Sequence, residues 1–288
     1  MGLDIGQALR EGASRTATKN GLILAAVFAG IALLSAVLLQ SLVFSVAEWS
    51  IELLQEIPPG DLDGITQDEY NEMLAEAEQF RDGLPLAIAV SGTIAAGGLL
   101  AIFVIAEAIS IIAVRVFAST NTDTIPGDLA TDNILLATIN GLVGKIVVWL
   151  LIIAGSLFFV LPGIILAVLF YFTRQEIAIK GKNFVQAMAD SWRVTKGHRI
   201  EVFLIGAVLV IVSQLEGVTS TVVGIVSTTA GLVAAAAVGG LLAAFGAAVA
   251  TRAYVQIDDD AGEESGAAPD EEPKDPYDAA LGPDDLPR

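Results

Sequence analysis

The lysines and arginines of this chain fall in alternate gaps between long apolar stretches, a pattern with a ready explanation only in a multi-span membrane protein. Residues 21–47, GLILAAVFAGIALLSAVLLQSLVFSVA, carry no charge before Glu48. Less pure stretches follow at roughly 84–114, 146–161, 162–179, 200–217 and 222–251. Crossing the hydrocarbon core takes about 20 apolar residues, so the chain has room for about six spans. A hydrophobic content of 54% excludes an ordinary soluble domain. The expected fold is all-α: a polytopic integral membrane protein with additional in-plane amphipathic helices.

The basic residues also predict an orientation. Arg10, Arg15 and Lys19 precede the first span, Arg115 follows the second and Lys145 opens the third. Arg174, Lys180, Lys182, Arg193, Lys196 and Arg199 surround the gap between the fourth and fifth, and Arg252 follows the sixth. Arg81 alone lies on the other side. Basic residues concentrate on cytoplasmic loops, so both termini are expected in the cytoplasm and the 48–83 loop outside the cell membrane. The first apolar run exceeds the 7–15 residues typical of a signal core. It is therefore read as a retained span rather than a leader cleaved after Ala47.

The net charge of −18 belongs to two segments, the 48–83 loop and the tail from Asp258 onward. Dense surface carboxylates keep a protein hydrated at high ionic strength, which points to a halophilic setting. Asp61-Leu62-Asp63-Gly64 begins like a calcium loop, but Ile65 occupies the next ligand position and the motif fails. With no cysteine and a single histidine, His198, the chain cannot build disulfides, thiolate metal sites or multi-histidine sites. Phosphate-binding loops, GxSxG and HExxH are absent. No enzyme activity, cofactor or nucleic-acid partner is therefore expected. The organisation predicted is a membrane domain over 1–257 and a disordered acidic cytoplasmic tail over 258–288, which lacks an apolar face to dock.

Several local elements are readable. Pro162-Gly163 is expected to form the external turn between spans three and four. Gly231, Ala235, Gly239, Ala243 and Ala247 place a small residue at every fourth position of span six, a row suited to close packing within the bundle. Thr66 to Glu69 spells a capping box, and Tyr70, Met73, Leu74 and Ala77 follow at helical spacing. In 183–196, NFVQAMADSWRVTK, the residues Phe184, Met188 and Trp192 share one face, and Gly197 is a natural stop. That helix is expected in the interface, with this face in lipid and Asp190 and Arg193 in water. Weaker echoes at 4–19 and at 133–145, each ending in a lysine, predict three units of in-plane helix, span, turn and span.

Glu107 is the ionisable outlier, embedded in LAIFVIAEAISIIAV. Counted from a span start near Leu84, it falls close to the cytoplasmic boundary, within reach of Arg174 or Lys145. With Glu176 these residues form the candidate polar site. Lys180, Lys182, Trp192, Arg193, Lys196 and Arg199 are the candidate contacts for anionic lipid headgroups.

LPGIILAVLFYF (161–172), followed by Ala187, Ser191, Trp192, Lys196 and Gly197, carries a further signal. Over about 155–215 the chain resembles the membrane-domain family found beside bacterial glycerophosphodiester phosphodiesterases and its haloarchaeal relatives. The shared pattern is a leucine-proline-glycine turn, an apolar span, and an alanine-x-x-x-serine-tryptophan helix ending in lysine-glycine. The chain departs from it at Arg174, Gln175 and Glu176, where relatives tend to be apolar. The resemblance implies six helices and a membrane location, without an attached catalytic domain. The function expected is a structural or accessory one, organising the lipid bilayer, its anionic headgroups or other membrane proteins. The alternative is a small-solute transporter with its site at Glu107 and the basic belt.

Overall fold

The computed structural model describes residues 2–58 and 64–266. Among these residues all regular structure is helical, and six helical stretches are long and apolar enough to span a membrane. Helix α1 (Ile5–Thr16) precedes the first span, α2 (Lys19–Glu56). The 38 residues of α2 extend about 57 Å at 1.5 Å per residue, well beyond a hydrocarbon core of about 30 Å. Its acidic end therefore projects from the membrane. Helix α3 (Gln67–Asp82) opens with the expected capping box. It leans on that projection, where the buried Tyr70 hydroxyl donates to the Leu54 carbonyl at 2.8 Å. Asp61 to Asp63 lie outside the described residues.

The second span, α4 (Gly92–Ala118), starts later than the apolar run does. Pro85 disfavours helical backbone at Leu84 and has no N–H to give. Residues 85–91 run irregularly instead, and side chains of α2 satisfy their backbone. The Leu86 N–H donates to Gln40 Oε1 at 2.9 Å, and the Ile88 N–H to Ser41 Oγ at 3.0 Å.

The middle in-plane helix expected at 133–145 is not there. After a five-residue α5 (Gly127–Thr131), Asn133 adopts a left-handed conformation, and α6 (Ile134–Phe158) runs unbroken through Lys145. Lys145 thus lies within span three rather than at its start. The reversal into α7 (Val160–Leu169) occurs at the extended Phe159, not at Pro162-Gly163. Pro162 sits in the first turn of α7, where a missing N–H removes no helical bond. Gly163 serves contact instead: a Cβ there would collide with Ser156 of α6.

Span four is broken. Phe170 to Phe172 separate α7 from α8 (Thr173–Lys180). Helices α9 (Phe184–Val194), α10 (Arg199–Gly224) and α11 (Thr228–Gly266) follow. Helix α11 carries the chain past Ile257 to Gly266, so the acidic tail predicted as disordered begins in helix, continuing the i→i−4 ladder of the span. Residues 267–288 lie outside the description. The small-residue row of span six does pack inside the bundle. Gly231 and Gly239 face α10, while a Cβ on the neighbouring Gly240 would collide with the α2 backbone at Ala25 and Ala29.

The core concentrates at the end where the basic residues gather. One cluster joins Leu3, Phe172, Val202, Ile205, Val249 and Tyr254, and another joins Leu24, Val116, Phe117 and Ala248. Helices α1 and α9 dock there in the same way. Asp4 and Asn183 cap them, accepting from the Gln7 and Gln186 N–H groups at 2.8 and 3.0 Å. The docking stripes then match position for position: Ala8, Gly12 and Thr16 in α1, and Ala187, Ser191 and the capping Thr195 of α9, all buried. Thr16 and Thr195 each return a bond to the carbonyl four residues earlier, at 2.8 and 2.9 Å. Two of the three expected in-plane helices are thus present in matching form. The middle one is reduced to α5.

Candidate functional site

The charged residues converge on α8. Arg174 leaves one side of it toward α4 and α6, and Glu176 leaves the other toward α9 and α11. Later entry of span two puts Glu107 about 22 Å along α4 from Gly92, deeper than a start at Leu84 implied. It is 1% exposed. Arg174 Nε donates to Oε1 at 3.0 Å and Nη2 to Oε2 at 3.1 Å, a two-pronged grip. Lys145 Nζ reaches Oε2 at 3.4 Å and lies 4.9 Å from the centre of the Phe103 ring. Both partners named from the sequence are therefore present together. Gly141 makes the space: a Cβ on it would stand 2.9 Å from Glu107 Oε1. Two cations against one carboxylate leave the cluster with an excess positive charge. A cavity of about 180 Å³ adjoins it.

Glu176 is fully buried as well. Its Oε2 accepts from Lys182 Nζ at 2.6 Å and its Oε1 from the Tyr254 hydroxyl at 2.8 Å, with Lys180 Nζ 3.7 Å away. Lys182 also bonds Asp190 at 2.5 Å, Arg193 meets Asp190 at 2.6 Å, and Lys180 reaches Asp258 at 2.6 Å. The network fastens α9 and the last third of α11 to α8. Hydrogen bonding from Lys182 holds the Asp190 carboxyl below its ordinary pKa. Partial burial pulls Lys182 down, but the bonds to Asp190 and Glu176 outweigh it and its pKa is raised.

These contacts revise part of the expected headgroup belt. Lys180 and Lys182 are engaged by carboxylates, and Asp190, expected in water, is only 18% exposed. The docked face of α9 is Ala187, Ser191 and Thr195, one step round from Phe184, Met188 and Trp192, because small residues allow the closest approach to α8. Trp192 is 46% exposed and packs edge-on with Phe170. Lys196 and Arg199 are exposed, and Arg193 is 75% exposed.

Ser191 has a role that motif reading alone did not give. Its hydroxyl donates to the Leu169 carbonyl at 2.9 Å and accepts the Phe172 N–H at 3.1 Å, closing the broken ladder of span four. The only sequence signal for this was a serine on the apolar side of α9. Tyr254 and Gly141 carried none. Among the described residues no cluster of side chains suits a metal ion.

No curated protein and no solved structure matches the chain. One family model does, over residues 3–257, which takes in both buried carboxylates, Glu107 and Glu176. The chain belongs to that family, described as a domain of unknown function, DUF7847.

Proposed function

We propose that this is a non-catalytic membrane protein that organises anionic lipids at its basic end, with both termini in the cytoplasm. One observation carries the reading. The buried carboxylates are each held inside the bundle, Glu107 by Arg174 and Lys145 and Glu176 by Lys182 and Tyr254. Lys196, Arg199 and the outer side of Arg193 stay exposed beside Trp192. Exposed cations next to an interfacial tryptophan suit phosphate-bearing headgroups. The acidic α3 and the tail keep the opposite surfaces hydrated in a halophilic setting.

Native mass spectrometry tests the reading. Protein released from membranes of mixed anionic and zwitterionic lipid is expected to retain anionic lipid. The combined variant Arg193→Gln, Lys196→Gln, Arg199→Gln is expected to lose it, and equal retention would overturn the proposal.

A second reading, a small-solute transporter, is favoured by the break at Phe170 to Phe172 beside Arg174 and Glu107. Discontinuous spans house the sites of many transporters. Under that reading Glu107→Gln abolishes flux and leaves stability unchanged.

A further inference from the structure

Arg174 also lines a partly open cavity of about 380 Å³, bordered by residues of α2, α4, α8, α10 and α11. Its wall is mostly apolar, with Leu209 and Ala247 typical, but four polar residues interrupt it: Ser110, Tyr171, Arg174 and Gln175. Gln175 is 4% exposed, and its Oε1 has no hydrogen-bond partner. A buried amide oxygen without a partner is destabilising unless something occupies the space it faces. Arg174 uses Nε and Nη2 on Glu107, which leaves Nη1 unused by that grip. Its side chain is 38% exposed, and Arg174 and Tyr171 line both this cavity and the smaller one at Glu107. The neighbouring cluster carries the excess positive charge of Lys145 and Arg174 over Glu107.

We propose that this cavity binds a small oxyanion that also bears a hydroxyl, its charged oxygens on Arg174 and its hydroxyl donating to Gln175. A guanidinium suits carboxylate and phosphate oxygens, and the Gln175 carbonyl is satisfied only by a donor. Hydroxy acids, hydrogen phosphate and the hydroxyl-bearing headgroup of an anionic lipid share this chemistry. The site is independent of the lipid-organising reading, which rests on Arg193, Lys196 and Arg199.

The cysteine-free chain permits a direct test. Ser110→Cys places one thiol in the cavity wall, to be modified by two methanethiosulfonates, one ending in a sulfonate and one in a trimethylammonium. Attraction by the cluster is expected to make the anionic reagent react about tenfold faster. Glycolate, an oxyanion that bears a hydroxyl, is expected to protect the thiol from the anionic reagent, and Gln175→Leu, which leaves the Glu107 pair intact, is expected to weaken that protection about fivefold, the equivalent of one lost hydrogen bond. Should Gln175→Leu not remain monodisperse, Gln175→Met, closer in shape, replaces it.

Preference for the anionic reagent identifies an anion taken from water. No reaction with either reagent, together with an anionic lipid retained by the full-length protein and lost in Gln175→Leu, identifies a headgroup. Equal rates, a preference for the cation, or no reaction without a bound lipid each overturn the proposal.

Discussion

Arg174 holds Glu107 by two hydrogen bonds of 3.0 and 3.1 Å, joining α8 to α4 inside the membrane domain at the point where span four resumes after its break. A buried carboxylate is tolerated in such a place only when paired. Glycine at 141 and lysine at 145 complete its surroundings from α6. Three spans are thereby tied at one side chain.

Gly141→Ala tests the fit. The added methyl group would stand 2.9 Å from Glu107 Oε1, so the carboxylate must shift and its bonds lengthen. A loss of about 1–3 kcal/mol is expected, read as a lower melting temperature in detergent. Gly97→Ala, where a Cβ meets nothing within 4 Å, is the control and should not fall.

Ser191→Ala leaves the Phe172 N–H and the Leu169 carbonyl without their shared partner. Buried orphans of this kind cost about 1–3 kcal/mol each. Faster hydrogen exchange at the Phe172 amide, with exchange in α2 unchanged, is the expected signature.

The docking of α9 should depend on pH at both extremes. Asp190 has a lowered folded pKa, so its contribution is present above the ordinary 3.8 and is lost as pH falls through the lowered value. Lys182 has a raised folded pKa, so its contribution is present below the ordinary 10.5 and is lost as pH rises through the raised value. Trp192 fluorescence in a Trp49→Phe, Trp149→Phe background reads the docking. It should hold steady from about pH 5 to 10 and change beyond both ends.

The proposed orientation, with both termini in the cytoplasm, is tested with two single cysteines. Glu72→Cys on α3 and Lys196→Cys after α9 are both at exposed positions. The first is expected to label only from outside the cell and the second only from inside. Labelling of both from one side would contradict the six-span topology.

Much of this architecture could be read from residue order because lipid imposes simple demands. Apolar length marks spans, and Glu107 stands out because a charge in such a run must find partners within reach. Its two partners followed from the placement of Lys145 and Arg174. What could not be read arose where side chains compensate for backbone at a distance. Gln40 and Ser41 satisfy the irregular start of span two, and Ser191 satisfies the break in span four. Lys145 looked like the border of a span because basic residues usually are, yet Glu107 lets it sit within one. Tyr254 reaches Glu176 across 78 residues, a pairing no local pattern announces.

The charges inside the bundle hold it together, and a double-mutant cycle on Glu107 and Arg174 measures how strongly. Breaking a fully buried pair costs about 3–5 kcal/mol, and the partial exposure of Arg174 and Lys145 lowers the expectation for Glu107→Gln to about 1–3 kcal/mol. Glu107→Gln combined with Arg174→Gln is expected to recover part of that loss, with a coupling of about 1 kcal/mol or more in thermal or denaturant unfolding. Additive effects, or a Glu107→Gln protein as stable as the natural chain, would contradict it and move the weight to a transport pathway.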